Sequence, residues 1–361
     1  MIQARHWERL PDGVVHCLLC PQDCRIRPGK AGMCRVRVNV DGVLYAAKYG
    51  RCASSAMDPI EKKPLYHFYP GTYILSLAAH GCNLRCRHCQ NWELSQKDGD
   101  EVELSPEEAV ELAASWRRPG RRCVGIAYTY SEPIVWYEMV QDTSRLAHER
   151  GLKNVLVTNG FIREGPLAEL LPVIDALNVD VKAFSDEFYR EVCSGRLEPV
   201  LRTVETAYRA GCHVEVTTLL IPGLNDSPEE IEELVSWLAG ISPAIPLHFS
   251  RYFPNYEMDR PPTPLESLRR ARDIARRRLR HVYVGNAWEL DLAETLCSAC
   301  GSVLVRRAGF RADAGGLDGD RCRSCGSRTD IRNDSPEDRP GPGGNLTAGH
   351  KTSGRRNGER E

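Results

Sequence analysis

From Tyr73 onward, short apolar runs rich in β-prone residues alternate with amphipathic stretches that open on helix caps, and this alternation restricts the fold more than any other feature. Tyr73–Ala79, Val124–Tyr128, Val155–Thr158, Ala176–Val181, His213–Ile221 and Ile245–Tyr252 read as strands, with His281–Val284 as a last short one. Helices are expected over 106–116, 133–150, 186–192 and 199–210. Ser105-Pro106-Glu107-Glu108 and Ser227-Pro228-Glu229-Glu230 are capping-box patterns, and Thr263-Pro264-Leu265-Glu266 is a third cap. Strands rejoined through helices imply a parallel sheet with right-handed crossovers, an α/β fold.

The loop leaving the first of these strands, Gly81-Cys82-Asn83-Leu84-Arg85-Cys86-Arg87-His88-Cys89-Gln90-Asn91, spaces three cysteines as C-x3-C-x2-C. That is one thiolate short of a closed iron–sulfur set. An incomplete ligand set leaves a coordination position for substrate. Cys82, Cys86 and Cys89 can hold three irons of a [4Fe–4S] cluster, the fourth being free to chelate the amino and carboxylate groups of S-adenosylmethionine (SAM). A zinc knuckle or buried free thiols are the plainer alternatives.

Two further cysteine groups flank the alternating region. Cys17, Cys20, Cys24 and Cys34 lie among Gly and Pro residues that permit tight turns, and either a structural zinc or an auxiliary iron–sulfur cluster fits them. Cys297, Cys300, Cys322 and Cys325 form two C-x2-C-Gly knuckles, the pattern of a zinc ribbon. Cys52, Cys123, Cys193 and Cys212 lack ligand spacing and read as packed or incidental thiols. Fifteen cysteines with no apolar leader between Met1 and His16 argue for metal sites in a reducing cytoplasm. With 48 Lys plus Arg against 49 Asp plus Glu, no global field calls for nucleic acid or membrane. The arginines of the ribbon, Arg306 and Arg307 among them, fit docking or structural roles better than a nucleic-acid patch.

Val36–Tyr49 reads as a hairpin turning at Asp41-Gly42, and Pro59-Ile60-Glu61-Lys62-Lys63-Pro64 as an irregular connector whose lysines are solvated or packed. Beyond Asp330 the chain is nearly devoid of apolar residues and is expected to be disordered. The expected division is 1–72, a cysteine-rich segment with a hairpin; 73–290, the core; 291–330, the ribbon; and 331–361, the tail.

The cysteine loop, with His88 before its third cysteine, resembles the signature of the radical SAM superfamily. The stretch Asp58-Pro59-Ile60-Glu61-Lys62-Lys63-Pro64-Leu65-Tyr66-His67-Phe68-Tyr69-Pro70-Gly71, followed by Gly81 to Trp92, resembles the radical SAM enzyme of the AmmeMemoRadiSam system, a relative of the pyruvate formate-lyase activating enzymes. The resemblance implies a partial TIM-like (β/α)6 barrel of six main strands with an open side, and active residues at the C-terminal strand ends. It implies reductive cleavage of SAM to a 5′-deoxyadenosyl radical, an electron donor such as flavodoxin or ferredoxin, a protein or peptide substrate, and Memo-like and AMMECR-type associates. Within Tyr128-Thr129-Tyr130-Ser131-Glu132-Pro133, Glu132 matches the carboxylate that holds the SAM amino group. Asn159-Gly160 is placed to approach the SAM ribose or carboxylate. Lys182, in Asp180-Val181-Lys182, matches a lysine pairing with the SAM carboxylate and shaping the path to substrate. His248 matches a histidine near SAM, and Asn286 is a further candidate. A non-catalytic adaptor using its zinc modules to bind protein or nucleic acid would explain the outer cysteine groups, but not the open three-cysteine loop.

Overall fold

The computed structural model describes residues 1–118 and 121–333. Its centre is one long sheet: β1 (Ser54–Pro59), β2 (Tyr73–Ala78), β3 (Arg121–Tyr128), β4 (Lys153–Thr158), β5 (Ala176–Asp180), β6 (His213–Leu220), β7 (Leu247–Arg251) and β8 (Val282–Gly285). The order along the sheet is the order in the chain. Strands β2 to β8 are all parallel, and β1 closes one edge antiparallel to β2. Seven parallel strands result: the six main ones expected, and the short one expected at His281–Val284, which as Val282–Gly285 extends the ladder beside β7. The two edge strands do not pair with each other, which leaves the path open.

Six crossover helices follow from the sequence: α1 (Pro106–Ser115), α2 (Tyr137–Glu149), α3 (Glu164–Leu170), α4 (Glu198–Arg209), α5 (Pro228–Ile241) and α6 (Leu265–Ala275). Ser105 caps α1 with both halves of its capping box formed. The second box is only half made. Ser227 Oγ accepts from the Glu230 amide, but Glu230 Oε1 accepts from Phe184 N at 2.7 Å, tying the loop after β5 to α5. Thr263 is not a helix cap. Its hydroxyl donates to Leu220 O at 2.6 Å and accepts from Tyr252 N at 2.8 Å, fastening β6 to the segment after β7, while α6 starts at Pro264 without a side-chain cap. The helix expected to start at Pro133 opens as a 3₁₀ turn, Pro133–Trp136, before α2.

The N-terminal segment forms the expected hairpin, Arg37–Val40 against Val43–Ala46, with Asp41 and Gly42 at φ of 50° and 80°. Positive φ at both turn residues is the type I′ geometry that suits the twist of paired strands. The buried pair Arg37–Glu138, at 2.8 Å, locks this hairpin to α2. The C-terminal segment carries a three-stranded antiparallel sheet, Thr295–Leu296, Val303–Ala308 and Arg311–Asp313, and a short hairpin, Leu317–Asp318 with Arg321–Cys322. Arg307 is buried and donates to Tyr66 O, Ala293 O and Thr295 Oγ1, docking the module on the core. Of the tail, residues 331–333 belong to this docked module: Ile331 is buried and the Arg332 backbone bonds His67 and Tyr69. The expected disorder otherwise concerns 334–361, outside the described residues.

Candidate active site

The C-terminal ends of the parallel strands surround a cleft of about 420 Å³. Cys82, Cys86 and Cys89 form part of its wall, and Glu132, Asn159, Lys182, His248 and Asn286 line it as well. The residues expected at successive strand ends are thus brought to one place.

The cysteine loop is held from behind. Arg85 N and Arg87 N donate to Cys193 O and Val192 O at 2.8 and 2.9 Å, so a π-helical turn, Tyr189–Cys193, backs the loop. Gly195 closes that turn where a Cβ would stand 2.5 Å from Leu84 Cδ2. Donors surround the sulfurs: Leu84 N lies 3.4 Å and Asn159 Nδ2 3.6 Å from Cys82 Sγ, and Ser95 Oγ lies 3.7 Å from Cys89 Sγ. Burial drives the Cys82 thiol well above its ordinary pKa, so ionising it calls for a metal cation. His88 Nδ1 is buried with no partner, and burial lowers that imidazole to about 3. Three thiols on one cleft wall, donors near two of the sulfurs and this orphaned nitrogen fit an iron–sulfur cluster with an open position.

Cys193 is not an incidental thiol. The ligand atoms of Cys86, His88 and Cys193 all lie within 4.8 Å of one another. Cys193 hydrogen-bonds to Cys86, and that bond chiefly depresses the Cys86 pKa. Its role was hidden because spacing along the chain says nothing of a thiol 107 positions away in sequence from Cys86. Cys52, Cys123 and Cys212 are packed thiols, with sulfurs bonded to the carbonyls of Ser54, Gly125 and Ile174.

Glu132 unites two readings. Its Oε1 accepts from Ile134 N, capping the 3₁₀ turn, and from Thr158 Oγ1 at 2.6 Å; its Oε2 accepts from Asn159 N at 2.8 Å. A carboxylate offers about four acceptor sites, so one remains toward the cleft. Burial pushes Glu132 up to about 7 against these bonds. Asn159 faces inward differently from expectation. Its amide bonds Asn83 Oδ1 at 2.9 Å and Cys82 Sγ, and its Oδ1 accepts from Phe161 N, so it steadies the cysteine loop. Gly160, at φ of 68°, packs toward β5, where a Cβ would meet Val179 Cγ1 at 2.9 Å.

Lys182 Nζ lies 2.6 Å from Asp180 Oδ2. Burial opposes the ammonium, but Asp180 and Cys86 outweigh it and hold the pKa above its ordinary value. His248 Nε2 is 2.6 Å from Glu215 Oε2, while Glu215 Oε1 accepts from His67 N and faces His213 Nε2 at 2.9 Å. The His248 ring stacks on Tyr283 and meets Tyr66 edge-on. Asn286, at φ of 57°, donates to Ser250 Oγ. A charged residue inside an apolar strand, Glu215 in His213-Val214-Glu215-Val216, was the available signal for this network.

The connector lysines divide. Lys62 is 41 % exposed in its side chain. Lys63 is buried, 2.7 Å from Asp58 Oδ2, with its ammonium 4.3 Å from the Tyr130 ring centre. Tyr130, at φ of 66°, also bonds Asp58. Burial pulls Lys63 down to about 8. This Asp58–Lys63–Tyr130 group joins β1 to the loop after β3 at the cleft wall.

At the other end, Cys297 and Cys325 sulfurs lie 3.8 Å apart and Cys300 and Cys322 sulfurs 3.7 Å apart, and all four sulfurs lie within 4.8 Å of one another. A tetrahedral zinc with Zn–S of about 2.3 Å sets its sulfurs about 3.8 Å apart. The Ser302 hydroxyl and backbone draw the exposed Cys300 thiol down to about 6, favouring the thiolate a metal needs.

The profile of the Radical SAM superfamily matches residues 77–238, the segment that carries the cysteine loop, Glu132 and Lys182. The chain belongs to the radical SAM superfamily. It is 46 % identical over 339 residues to an uncharacterized protein of Methanocaldococcus jannaschii, spanning 92 % of this chain and 99 % of that one. It is 27 % identical over 165 residues to the pyruvate formate-lyase-activating enzyme of Clostridium pasteurianum, 45 % of this chain and 67 % of that enzyme. It is also 27 % identical over 139 residues to the benzylsuccinate synthase activating enzyme of Thauera aromatica, 38 % of this chain and 41 % of that enzyme. This radical SAM protein thus has activating enzymes among its distant homologues. No helix among its described residues is long and apolar enough to cross a membrane.

Proposed function

We propose that this radical SAM protein reductively cleaves SAM and uses the resulting 5′-deoxyadenosyl radical to abstract hydrogen from a protein or peptide, in the manner of activating enzymes. The observation that carries it is the convergence of Cys82, Cys86 and Cys89 with Glu132, Lys182 and His248 on one cleft. When bound, a [4Fe–4S] cluster with an open iron supplies the electron that breaks the sulfonium S–C5′ bond, yielding methionine and the radical. The chain supplies orientation. The free acceptor site of Glu132 takes the SAM ammonium, Lys182 takes the carboxylate, and Asn159 steadies the Cys82 side of the loop. The activating-enzyme homologues support a protein substrate and a reductant such as flavodoxin or ferredoxin. Within that reading, the Asp58–Gly71 and Gly81–Trp92 stretches favour the AmmeMemoRadiSam group, with Memo-like and AMMECR-type proteins as associates, acting in the cytoplasm. Anaerobic reconstitution followed by a SAM cleavage assay is the test. A protein that assembles the cluster but yields no 5′-deoxyadenosine under reduction does not have this function.

The Glu132 assignment makes a pH prediction. Its folded pKa, about 7, lies above the ordinary carboxyl value, so the empty site favours the protonated form below about pH 7 and that preference is lost as pH rises. An ammonium needs the carboxylate. SAM affinity measured by calorimetry should therefore rise as pH passes upward through about 7, with proton release on the acid side. Glu132→Gln should lower affinity roughly ten- to a hundredfold, remove that pH step and leave cluster assembly intact. Unchanged affinity in a cluster-loaded variant would reduce Glu132 to a helix cap.

A further inference from the structure

We propose that Cys17, Cys20, Cys24 and Cys34 hold a polynuclear iron–sulfur cluster, not a single zinc ion, directly behind the Cys82–Cys89 loop. All four cysteines line one small cavity. Arg37, only 1 % exposed, reaches the same cavity. Its Nη1 and Nη2 donate to Arg5 O and Glu138 Oε1, but its buried Nε has no partner. A buried guanidinium N–H without a partner, on a residue that lines the cavity of the four cysteines, suits an anionic occupant such as a set of metal-bound thiolates.

Sulfur spacing then selects the class of metal centre. The C-terminal quartet stands ready for one ion, with sulfur pairs at 3.7 and 3.8 Å. Among the described residues, no three of the N-terminal four come within 4.8 Å of one another, although they share a cavity. One zinc ion holds all its sulfurs about 3.8 Å apart. Thiolates bound to different irons, with sulfides between them, stand farther apart. The two sites also share a wall. Asn83, the residue after Cys82, lines the N-terminal cavity. Gln22 Nε2 donates to Asn83 O and Ser194 O, both at 2.7 Å. Gly81, at φ of 108°, lies so close to the N-terminal loop that a Cβ there would stand 2.6 Å from Cys34 O.

The test is metal analysis of anaerobically purified full-length protein in which Cys82, Cys86 and Cys89 are all replaced by alanine. This variant should retain roughly two to four irons per chain with matching acid-labile sulfide. Adding Cys20→Ser and Cys24→Ser should remove that iron while the zinc of the C-terminal quartet stays, which controls for folding. A triple variant with two zinc ions and no iron overturns the proposal, as does one with a single zinc and no other metal. Should that variant not fold, Mössbauer spectra of the wild type decide. Two clusters support the proposal, and one cluster accounting for all iron overturns it. Failure of the Cys82–Cys86–Cys89 assignment is distinguishable, because wild type and triple variant would then hold the same iron.

Discussion

Cys86→Ala is expected to abolish SAM cleavage and the EPR signal of the reduced cluster at the Cys82–Cys86–Cys89 site while leaving the fold standing. Cys86 is buried against Cys193 and its loop is pinned by backbone bonds from Arg85 and Arg87, which the substitution does not touch. Losing one sulfur from such a site costs about 1 kcal/mol of stability, a small part of what a domain of this size holds. A ligand set already one short of four keeps only two thiolates of its own spacing, so activity should fall to the assay background. Cys193→Ala is the matched control: it removes a hydrogen bond to the ligand and should leave the cluster assembled. An alanine variant at Cys86 that still cleaves SAM would show that Cys193 or His88 had taken its place, or that the site is not a cluster.

Stripping the metal from Cys297, Cys300, Cys322 and Cys325 is expected to unfold the C-terminal module and spare the central sheet. The apolar set behind the quartet is small, with Leu304, Val305, Leu317 and Ile331 at its heart. Structural zinc contributes about 10–16 kcal/mol to folding in comparable small sites, as much as or more than so few side chains supply at about 1.5–3 kcal/mol each, and the entropy of ordering the segment is still to be met. Hydrogen exchange after chelation should show protection lost across 295–331 and kept in β2 to β8. Protection unchanged in metal-free protein would mean that docking through Arg307 and Asp330 suffices by itself.

Much of the sheet was legible because apolar runs of strand length bounded by caps and glycines have few alternative readings. All seven runs became parallel strands, with ends shifted by at most three residues. The caps were less legible. Ser105 and Ser227 look alike in sequence, yet Glu230 answers to Phe184 and Glu108 to its own cap, a choice set by which backbone amide packs nearby. At the cleft, Cys82, Cys86, Cys89, Glu132 and Lys182 were legible as residues of one wall, because local spacing and strand-end position carry information. Cys193, Lys63 and Glu215 were not, because each acquires its partner only when distant segments meet: Cys86, Asp58 and His248 respectively. Asn159 lines the cleft as its position indicated, and both ends of its amide are bonded there, to the cysteine loop and to Phe161.

The turn between Val303–Ala308 and Arg311–Asp313 carries Phe310 to the rim of the cleft, where its ring meets Trp288 edge-on at 5.3 Å. On the proposed function, the strand-end groups and this part of the rim sit on separate parts of the chain, the second carried by the module of Cys297, Cys300, Cys322 and Cys325. On the proposed reading, zinc scarcity would not silence the enzyme. It would open the rim while the strand-end groups stayed in place, and SAM would be spent without its hydrogen donor, so that futile turnover, rather than inactivity, would mark a zinc-starved enzyme.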